Sequence, residues 1–401
     1  MKFSKSDRTA GLLFSRRQNL LNGVSVCLLL ICAAGGPAHA MDGNTLPQGG
    51  VVVGGEATLD YEQPAALHIH QSSTRAVIDW DRFDIGTEAL TRFHQPSASA
   101  LTVNRVTGSG DPAQILGRIE ANGQIMVLDK NGVFFGPHSK VDVGGLIVST
   151  GEISTQNALH GDVLTIDHIQ PGSAIINHGV LSVAETGLAA LVAPTVINNG
   201  VIEAKLGRID IGAGSQATID LYGDGLIELG LDTGSTQTLY NRGILQAEGG
   251  TIRLQTAAAR DMVDNLVSNS GIISADSARI DQQGRIILAA GGAHQTETQG
   301  SSIAFNEGYI SARGRVSGAM GGAVEVLGDA VLLGPGSVID TSGDAGGGDI
   351  KIGGDYLGRG ATPTALYTYV DADALILNDA LTRGDGGRTI IWSDGITDFH
   401  G

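Results

Sequence analysis

The feature that most restricts the fold is a short motif, Asn-x-Gly followed by two apolar residues, which recurs along the chain after residue 150. Its copies occupy residues 177–181, 198–202, 241–245, 269–273 and 306–310. They start 21, 43, 28 and 37 residues apart, so the first spacing is one unit, the second is close to two, and the others imply inserted loops. A turn and a short strand repeated about every 20 residues are typical of a solenoid, in which each coil packs on the next.

Both fixed residues of the motif predict how successive coils meet. An Asn at the same corner of every coil predicts a ladder of side-chain amides, each bonded to the coil above it. The Gly two places after the Asn is expected to adopt backbone angles that other residues resist. Between the corners lie further apolar runs, several with one face in and one face out, at residues 208–211, 251–254, 285–288 and 323–326. In a parallel β-helix such runs form strands stacked about 4.8 Å apart.

Tight turns also separate short apolar runs in the front third of the chain. The runs are residues 124–128, 133–135 and 145–148, and Gly, Asn or Pro-His bounds each of them. The Asn-Gly pairs at 122–123 and 131–132 accept positive φ at low steric cost. Runs this short predict strands and not helices, and from this stretch alone both a β-hairpin array and a winding solenoid stay open.

Composition excludes both a helical and a disordered chain. Glycine accounts for 60 of 401 residues, about twice its usual share of ~7%. Each Gly in a helix interior costs roughly 1 kcal/mol relative to Ala, so a helical protein would not contain so many. Hydrophobic residues make up 42% of the chain, which is too much for a disordered segment and enough for a long, thin core.

Residues 1–40 have the three parts of a secretory signal peptide. Five basic residues precede an apolar core at 24–34, and the small-x-small sequence at 38–40 offers a cleavage site, so Met41 would begin the mature chain. The basic part is long, which resembles the extended signal peptides of large exported proteins. The apolar core is too short for a stable transmembrane anchor, and a single membrane anchor is the alternative interpretation.

Removal of this segment makes the chain more acidic. The formal net charge changes from −17 to −21, because five basic residues leave together with one acid, Asp7. Such acidity keeps an extended surface soluble and argues against nucleic acid as a partner. The two cysteines, Cys27 and Cys32, lie in the core of the signal, so the mature chain would cross an oxidising periplasm without forming disulfides.

Four runs, in one order along the chain, resemble those of a known family. Residues 78–86 contain W-x-x-F-x-I-G, 93–98 read F-x-Q-P-S-A, 104–108 read N-R-V-T-G, and 122–136 read NGQIMVLDKNGVFFG. Together they resemble the two-partner secretion domain, also called the filamentous haemagglutinin or haemagglutination-activity domain. That family usually has Asn-Pro-Asn-Gly where residues 129–132 read Asp-Lys-Asn-Gly, so the Asn-Gly turn is kept and the stiffening Pro is missing.

The resemblance implies an all-β fold, namely a right-handed parallel β-helix (solenoid) with short extra-helical strands and an N-terminal cap. It divides the chain into a signal peptide (1–40), a secretion domain (41–290) and the start of adhesin shaft repeats (291–401), which we expect to be truncated. The implied partner is an outer-membrane β-barrel transporter whose periplasmic domains capture the unfolded chain. The implied product is a virulence-associated adhesin, secreted or held at the surface of a Gram-negative bacterium, with a host-cell surface or a carbohydrate as its target.

Six residues of these runs form the predicted export and fold motif: Trp80, Phe83, Asn104, Asn122, Asn131 and Gly132. In one interpretation the transporter contacts these residues directly. In the other they are core and turn residues that are needed only for the fold. The sequence leaves both interpretations open.

The sequence contains no catalytic signature, since G-x-S-x-G, the P-loop and H-E-x-x-H are all absent. Parallel β-helices also include polysaccharide lyases and glycosidases, so a carbohydrate-active enzyme is the alternative function. Its candidate acids are Asp79, Asp81, Asp84, Asp371 and Asp373. Because acids are frequent in this chain, neighbouring pairs are expected by chance, and we predict no enzyme, no catalytic residue and no cofactor.

Two short patterns each contain part of a metal-binding motif and lack the rest. His68 and His70 lie on one face of a predicted strand, but the nearby sequence offers no third ligand at useful spacing. We therefore interpret the pair as part of a solvated strand face. Residues 344–349 approach the calcium-binding nonapeptide pattern with the wrong spacing, and we interpret them as turns. No metal site is predicted.

Overall fold

The computed structural model describes residues 41–108, 110–220, 227–230, 236–257, 265–277, 279–291 and 302–401. The predicted signal peptide, residues 1–40, lies outside these ranges. The chain divides into two units after Asp42, and the architecture below is that of the second unit, Gly43–Gly401.

The strands of this unit form three long sheets. In spatial order, sheet 1 contains β1 (Val51–Gly54), β4 (Arg75–Trp80), β6 (Leu101–Val106), β9 (Gln124–Asp129), β12 (Gly145–Ser149), β16 (Leu188–Ala193), β19 (Arg208–Ala213), β24 (Thr251–Thr256), β27 (Arg285–Ala289), β30 (Ala323–Leu327), β33 (Asp349–Ile352) and β36 (Arg388–Ile391). Sheet 2 contains β7 (Ala113–Ile115), β10 (Val133–Phe135), β14 (Ala174–Asn177), β17 (Thr195–Asn198), β22 (Gln237–Asn241), β25 (Asn265–Asn269), β28 (Ser302–Asn306), β31 (Ala330–Leu333), β34 (Tyr367–Val370) and β37 (Ile396–Phe399). Sheet 3 contains β2 (Ala57–Gln63), β3 (Ala66–Gln71), β5 (Leu90–His94), β8 (Arg118–Ala121), β11 (Lys140–Val143), β15 (Val180–Val183), β18 (Val201–Glu203), β23 (Ile244–Gln246), β26 (Ile272–Ser274), β29 (Tyr309–Ser311), β32 (Val338–Asp340) and β35 (Leu375–Leu377).

A regular coil visits sheets 1, 2 and 3 in turn and returns to sheet 1, as β9, β10, β11 and β12 do. Strands of successive coils run parallel, for example β9 with β12 and β12 with β16. At the N-terminal edge, β1 pairs antiparallel with β4, and β2 pairs antiparallel with β3, which gives the N-terminal cap that the resemblance implies. The parallel pairing of β9 with β12 excludes a hairpin array, whose strands would pair antiparallel. The all-β parallel β-helix is therefore confirmed.

The front third contains more strands than the sequence predicts. The apolar runs at 124–128, 133–135 and 145–148 correspond to β9, β10 and β12. The prediction misses β8 and β11, which lie between them in sheet 3. Each has four residues and alternates a buried side chain with charged ones that face outward, so neither stands out as an apolar run.

Two insertions leave the coil and form a separate layer. The first contains α1 (Thr155–His160) and β13 (Val163–Ile166), and the second contains β20 (Gln216–Asp220) and β21 (Ile227–Gly230). The three strands pair antiparallel in the order β13-β20-β21, and they are the extra-helical strands that the resemblance implies. Within the described ranges, α1 and a 3₁₀ turn at Tyr356–Gly358 are too short and too polar to cross a bilayer.

This layer packs on the outward face of sheet 1. Val103 of sheet 1 and Leu164 of β13 belong to one buried apolar cluster. A hydrogen-bonded arginine adds to the contact, because Nη1 of Arg75 donates to the carbonyl oxygens of Ala158, at 3.1 Å, and Gly161, at 2.8 Å. The insertions thus cover apolar side chains that sheet 1 would otherwise expose.

A continuous aliphatic core fills the inside of the coils. In sheet 1 one row of inward side chains, with one residue from each coil, runs from Val127 through Leu191 to Ile352. Full burial of such a side chain contributes about 1.5–3 kcal/mol relative to leaving it exposed. The same cluster extends from Leu67 to Val370, so the coils continue past residue 290 on one core. The domain boundary predicted near residue 290 stays a prediction.

The Asn residues of the repeated motif form the predicted amide ladder. The strand register pairs Asn177 with Asn198, Asn198 with Asn241, Asn241 with Asn269, and Asn269 with Asn306. At each step the Nδ2 of one residue donates to the Oδ1 of the next at 2.8 Å. All five side chains are at most 1% exposed. Since a buried amide without partners is costly, the ladder fixes the register of five coils.

The Gly of the motif is required for a different reason from the one predicted. Gly200, Gly243, Gly271 and Gly308 do not adopt positive φ, so the expectation about backbone angles is wrong at this corner. A Cβ at Gly243 would instead overlap the carbonyl oxygen of Gly200, and the same holds for Gly271 over Gly243 and for Gly308 over Gly271. The close approach of stacked backbones therefore excludes a side chain there.

Candidate functional site

The predicted motif residues lie in the first coils of the β-helix, where they divide into three groups. Trp80, Phe83 and Asn104 face inward, and all three are 0% exposed. Asn122 is exposed in one turn, and the pair 131–132 occupies a second turn, in which the Asn is half-buried and the Gly is buried. Each group connects neighbouring coils through hydrogen bonds or apolar packing.

Trp80 ends β4 and points into the coil. Its ring packs edge-to-face on Phe83, with the ring centroids 5.5 Å apart. Aromatic pairs in this geometry contribute about 0.5–1.5 kcal/mol beyond their burial. A buried indole N–H also needs an acceptor, and Oδ1 of Asn104 accepts it at 3.1 Å.

Asn104 lies in the middle of β6, and its amide connects three coils. Its Oδ1 accepts from Trp80 in the preceding coil, and its Nδ2 donates to the carbonyl oxygen of Met126 in the following coil at 3.2 Å. Both polar ends of a side chain buried among aliphatic residues are therefore satisfied. This residue therefore joins the W-x-x-F run, through Trp80, to the N-R-V-T-G run, of which it is the first residue.

The turn that holds Phe83 is fixed by the carboxylate of Asp84. Its Oδ1 accepts the backbone N–H of Gln114 at 2.8 Å, and its Oδ2 pairs with Nε of Arg82 at 2.6 Å. Asp84 is 5% exposed, so this carboxylate belongs to the interior. It joins the turn after β4 to the start of β7.

Asn122 forms a reciprocal pair with Gln95 of the neighbouring coil. The backbone N–H of Gln95 donates to Oδ1 of Asn122, and Nδ2 of Asn122 donates to the carbonyl oxygen of Gln95, both at 2.8 Å. The side chain of Gln95 accepts the N–H of Gly123 at 2.9 Å and donates to Oγ1 of Thr102 at 3.0 Å. The prediction missed Gln95 as a site residue. Its signal in the sequence is its place in the F-x-Q-P-S-A run.

Of the two predicted Asn-Gly turns, only the second requires positive φ. Gly132 has a φ of +125°, and a Cβ there would lie 2.8 Å from the carbonyl oxygen of Ala174. Gly123 does not adopt positive φ, so that expectation is wrong. A Cβ at Gly123 would lie 2.7 Å from the carbonyl oxygen of Ala100, which means that close packing explains the glycine.

Asp129, a second residue that the prediction missed, organises the turn at Gly132. Its Oδ1 accepts the backbone N–H of Asn131 at 2.9 Å and Nδ2 of the same residue at 3.0 Å, and its Oδ2 accepts the N–H of Ala113 at 2.9 Å. Burial raises the pKa of Asp129 to about 6, and the hydrogen bonds from Asn131 and Ala113 oppose that rise. These bonds hold the turn where the family pattern has a Pro.

A histidine cluster lies on the outward face of sheet 3, close to the cap. The strand register brings His94 beside His70, a neighbour that the local sequence around His68 and His70 does not contain. The rings of His70 and His94 stack at 4.5 Å, and Nδ1 of His68 lies 2.9 Å from Nε2 of His94. Burial, His70, His68 and Arg92 lower the pKa of His94. The stacked rings do not converge on one point, and no group of His, Cys, Asp or Glu in the described residues is arranged to hold a metal ion.

Three of the five carboxylates considered for a glycosidase, those of Asp79, Asp84 and Asp371, have structural partners. Asp79 pairs with Nε of Arg105 at 2.7 Å. Asp371 accepts the hydroxyl of Tyr369 at 2.8 Å and the backbone N–H of Asp373 at 3.1 Å. Each of these acids stabilises a strand or a turn in the positions that the structure gives.

The geometry limits what a partner of the folded chain can contact. Trp80, Phe83 and Asn104 have no exposed surface, whereas Asn122 and Asn131 do. The first three are accessible only before the coils close. In the folded state Trp80, Phe83 and Asn104 hold the first coils together through packing and hydrogen bonds.

The TPS secretion domain family matches residues 45–316. A heme/hemopexin-binding protein of Haemophilus influenzae strain Rd is 29% identical over 278 residues, which are 67% of this chain and 30% of that protein. A second Haemophilus influenzae protein of the same name is 34% identical over 133 residues, which are 33% of this chain and 14% of that protein. The chain thus spans less than a third of the length of either relative.

A solved structure shows the same architecture. The crystal structure of the HMW1 secretion domain from Haemophilus influenzae superposes with a TM-score of 0.73 at 27% sequence identity. The alignment covers 88% of this chain and 98% of that chain.

Proposed function

This chain belongs to the TPS secretion domain family, and on that premise we propose that residues 41–290 are the export signal that an outer-membrane β-barrel transporter recognises while the chain is still unfolded. Domains of this family are recognised by a partner transporter and are secreted across the outer membrane of Gram-negative bacteria. The route through the periplasm and the capture by periplasmic domains of the transporter are part of the proposal.

The burial of the motif is the observation that supports recognition before folding. Trp80, Phe83 and Asn104 are 0% exposed, so a transporter could contact them only in an unfolded chain. The same residues stabilise the first coils once the chain is outside. The same side chains would then bind the transporter while the chain is unfolded and form part of the core after it folds.

The architecture also supplies a driving force for export. Each coil packs on its neighbours, so folding can start at the first coils and continue coil by coil as the chain emerges. Each new coil buries further inward aliphatic side chains, such as Leu191 and Leu254, which opposes movement back through the transporter. Such a mechanism needs no nucleotide.

The product is proposed to be an adhesin-type surface or secreted protein. The relatives are named for heme and hemopexin binding, but this chain matches at most 30% of their length. We therefore propose a host-cell surface or a carbohydrate as the target, and we include heme as an alternative ligand in the tests. An erythrocyte-agglutination titre and a heme titration of the purified chain separate these ligands.

The structural partners of Asp79, Asp84 and Asp371 disfavour the alternative function, a carbohydrate-active enzyme. Release of reducing ends from polysaccharides by the purified chain would support that alternative.

Export is tested with the full chain in cells that contain or lack the partner transporter. We expect secretion only with the transporter, and release in its absence would overturn the proposal. In a second assay, the periplasmic domain of the transporter should bind the urea-unfolded chain immediately after dilution and bind the folded chain weakly or not at all. Equal binding of both forms would contradict recognition before folding.

A variant pair separates direct contact from a purely structural role. Trp80→Ala should weaken binding of the unfolded chain, whereas Tyr309→Ala, which replaces an aromatic residue beyond position 290, should not. If unfolded Trp80→Ala binds like the wild type and only its folding is impaired, the motif acts through the fold alone.

A further inference from the structure

Sheet 2 differs from the other two sheets in its charge. Its ten strands, all within the described ranges, contain a single charged side chain, Asp398 in the last strand. Sheet 1 has charged residues in most of its strands, including Arg208 and Arg253, and sheet 3 has others, including Arg92 and Glu120. Absence of charge in a surface is the compositional mark of an interface core.

The outward side chains of sheet 2 are mostly apolar and stand in register. Buried and half-buried residues alternate along its strands, so every second side chain faces outward. One outward row runs through Ile176, Ile197, Tyr240, Ser268, Phe305 and Leu332, and it ends at Tyr369 and Asp398. The guanidinium of Arg242 lies over the ring of Tyr240, 5.0 Å from its centroid, at the edge of this row. The row is thus mostly apolar, with one charged side chain against Tyr240 at its edge.

The described insertions cover sheet 1, not sheet 2. The helix α1 packs on β4 and β1, and β21 packs on β19, all of which belong to sheet 1. The chain thus covers one apolar outward face with its own insertions. Contiguous apolar faces that stay open to solvent mark sites of interaction.

We propose that the outward face of sheet 2 binds the same face of a second copy of this chain, so that two β-helices associate side by side about a two-fold axis. Charge selects the face, because two mature chains, each of formal net charge −21, repel each other wherever their charged surfaces meet. On sheet 2 the copies come into contact without bringing acids together. A two-fold axis then gives both copies the same contact surface.

The spacing of the strands also suits a second copy. Strands in both copies are stacked about 4.8 Å apart, so the rows of one face can insert between the rows of the other, with the sheets about 10 Å apart. From β10 to β37 the face measures about 38 Å by about 13 Å, or about 500 Å² per copy. A dimer would bury about 1,000 Å² in total, which is near the lower limit for a specific interface. We therefore expect a weak dimer whose population rises with concentration.

The proposal is tested by sedimentation equilibrium of the purified protein over a series of concentrations. The wild type should pass from monomer to dimer as concentration rises, and added salt should strengthen the dimer because it screens the repulsion between acidic copies. Ile197→Glu and Tyr240→Lys should each weaken the dimer at least tenfold. Circular dichroism and the thermal midpoint of each variant show whether its fold is intact.

The matched control is Ile244→Glu, which introduces the same charge at an outward Ile of sheet 3. This variant should dimerise like the wild type. A wild type that stays monomeric at the highest concentration would overturn the proposal. So would a dimer that survives Ile197→Glu, that is equally weakened by Ile244→Glu, or that dissociates on addition of salt.

Discussion

The indole N–H of Trp80 donates a 3.1 Å hydrogen bond to Oδ1 of Asn104, which lies in the next coil. The same amide donates to the carbonyl oxygen of Met126 one coil further on. One polar side chain thus fixes the register of three strands inside an aliphatic core. A shift by one residue would turn Asn104 to the outer face and leave the indole without an acceptor.

The first prediction concerns this pair. Trp80→Phe and Asn104→Leu should each lower the free energy of unfolding by about 1–3 kcal/mol, because each leaves a buried polar group without its partner. The double variant should lose less than the sum of the two, with a coupling of about 0.5–3 kcal/mol. Urea unfolding of the four proteins measures the cycle. Simple additivity would mean that the bond contributes no coupling.

The amide ladder gives the second prediction. Asn241→Leu removes hydrogen bonds on both sides, since Asn198 loses its acceptor and Asn269 loses its donor. Asn306→Leu ends the ladder on one side only, at Asn269. We expect Asn241→Leu to cost about 2–4 kcal/mol and Asn306→Leu about half of that. Equal urea midpoints for the two variants would contradict a continuous ladder.

The fold could be predicted where the residue that repeats along the sequence is also the residue that bonds successive coils. Asn recurs at the corner, and its amide can both donate to and accept from the same amide of a neighbouring coil, so the ladder follows from the sequence. The reason for Gly243 could not be predicted, because the carbonyl of Gly200 approaches it only after the coils stack. Turn propensity suggested positive φ, whereas stacking distance is what excludes a side chain.

The site was less accessible to prediction, because its partners lie in neighbouring coils. Gln95 bonds Asn122, and His94 stacks on His70, yet insertions make the residue spacing between successive coils irregular. A list of motif residues contains no such pairing. Asp129 was missed because an acid before a turn is common, and only the structure shows the three donors that converge on it.

Stacking of the corner glycines gives the third prediction. Gly243→Ala places a methyl group against the carbonyl oxygen of Gly200, so the coils must separate, at a cost of about 1–3 kcal/mol. Gly110→Ala is the matched control, because a Cβ there meets no atom within 4 Å. The control should match the wild type within about 0.5 kcal/mol. Thermal or urea midpoints decide, and a wild-type midpoint for Gly243→Ala would be incompatible with the close approach.

The histidine cluster gives the fourth prediction. The folded state lowers the pKa of His94, so below the usual histidine pKa the unfolded chain binds the proton more readily. Stability should therefore fall as pH decreases through this region. Asp60, opposite His68 in the strand register, and Glu120, which pairs with Arg92, are acids that face the cluster from neighbouring strands. His94→Gln should reduce the loss of stability between pH 7 and pH 5, and an unchanged pH profile would contradict it.

The last prediction concerns Asp210, which lies on sheet 1 between Ala190 and Arg253 in the strand register. Its side chain is 2% exposed, and its Oδ2 lies 3.9 Å from Nε of Arg208. Neither carboxylate oxygen has a hydrogen-bond donor within the described part of the chain. Burial raises the pKa of Asp210 to about 6, and Arg253 and Arg208 oppose the rise.

The sign of the pH dependence follows from this raised pKa. Between its ordinary value of 3.8 and about 6, the folded chain binds a proton that the unfolded chain releases, so stability falls as pH rises through this window and stays reduced at pH 7. Asp210→Asn should stabilise the protein at pH 7 by at most about 3 kcal/mol, and the gain should shrink towards pH 4. Asp142→Asn, which changes an exposed acid of β11, is the control. Urea unfolding at several pH values measures both variants, and a gain from Asp210→Asn that does not change with pH would show that the carboxylate is not buried as a charge.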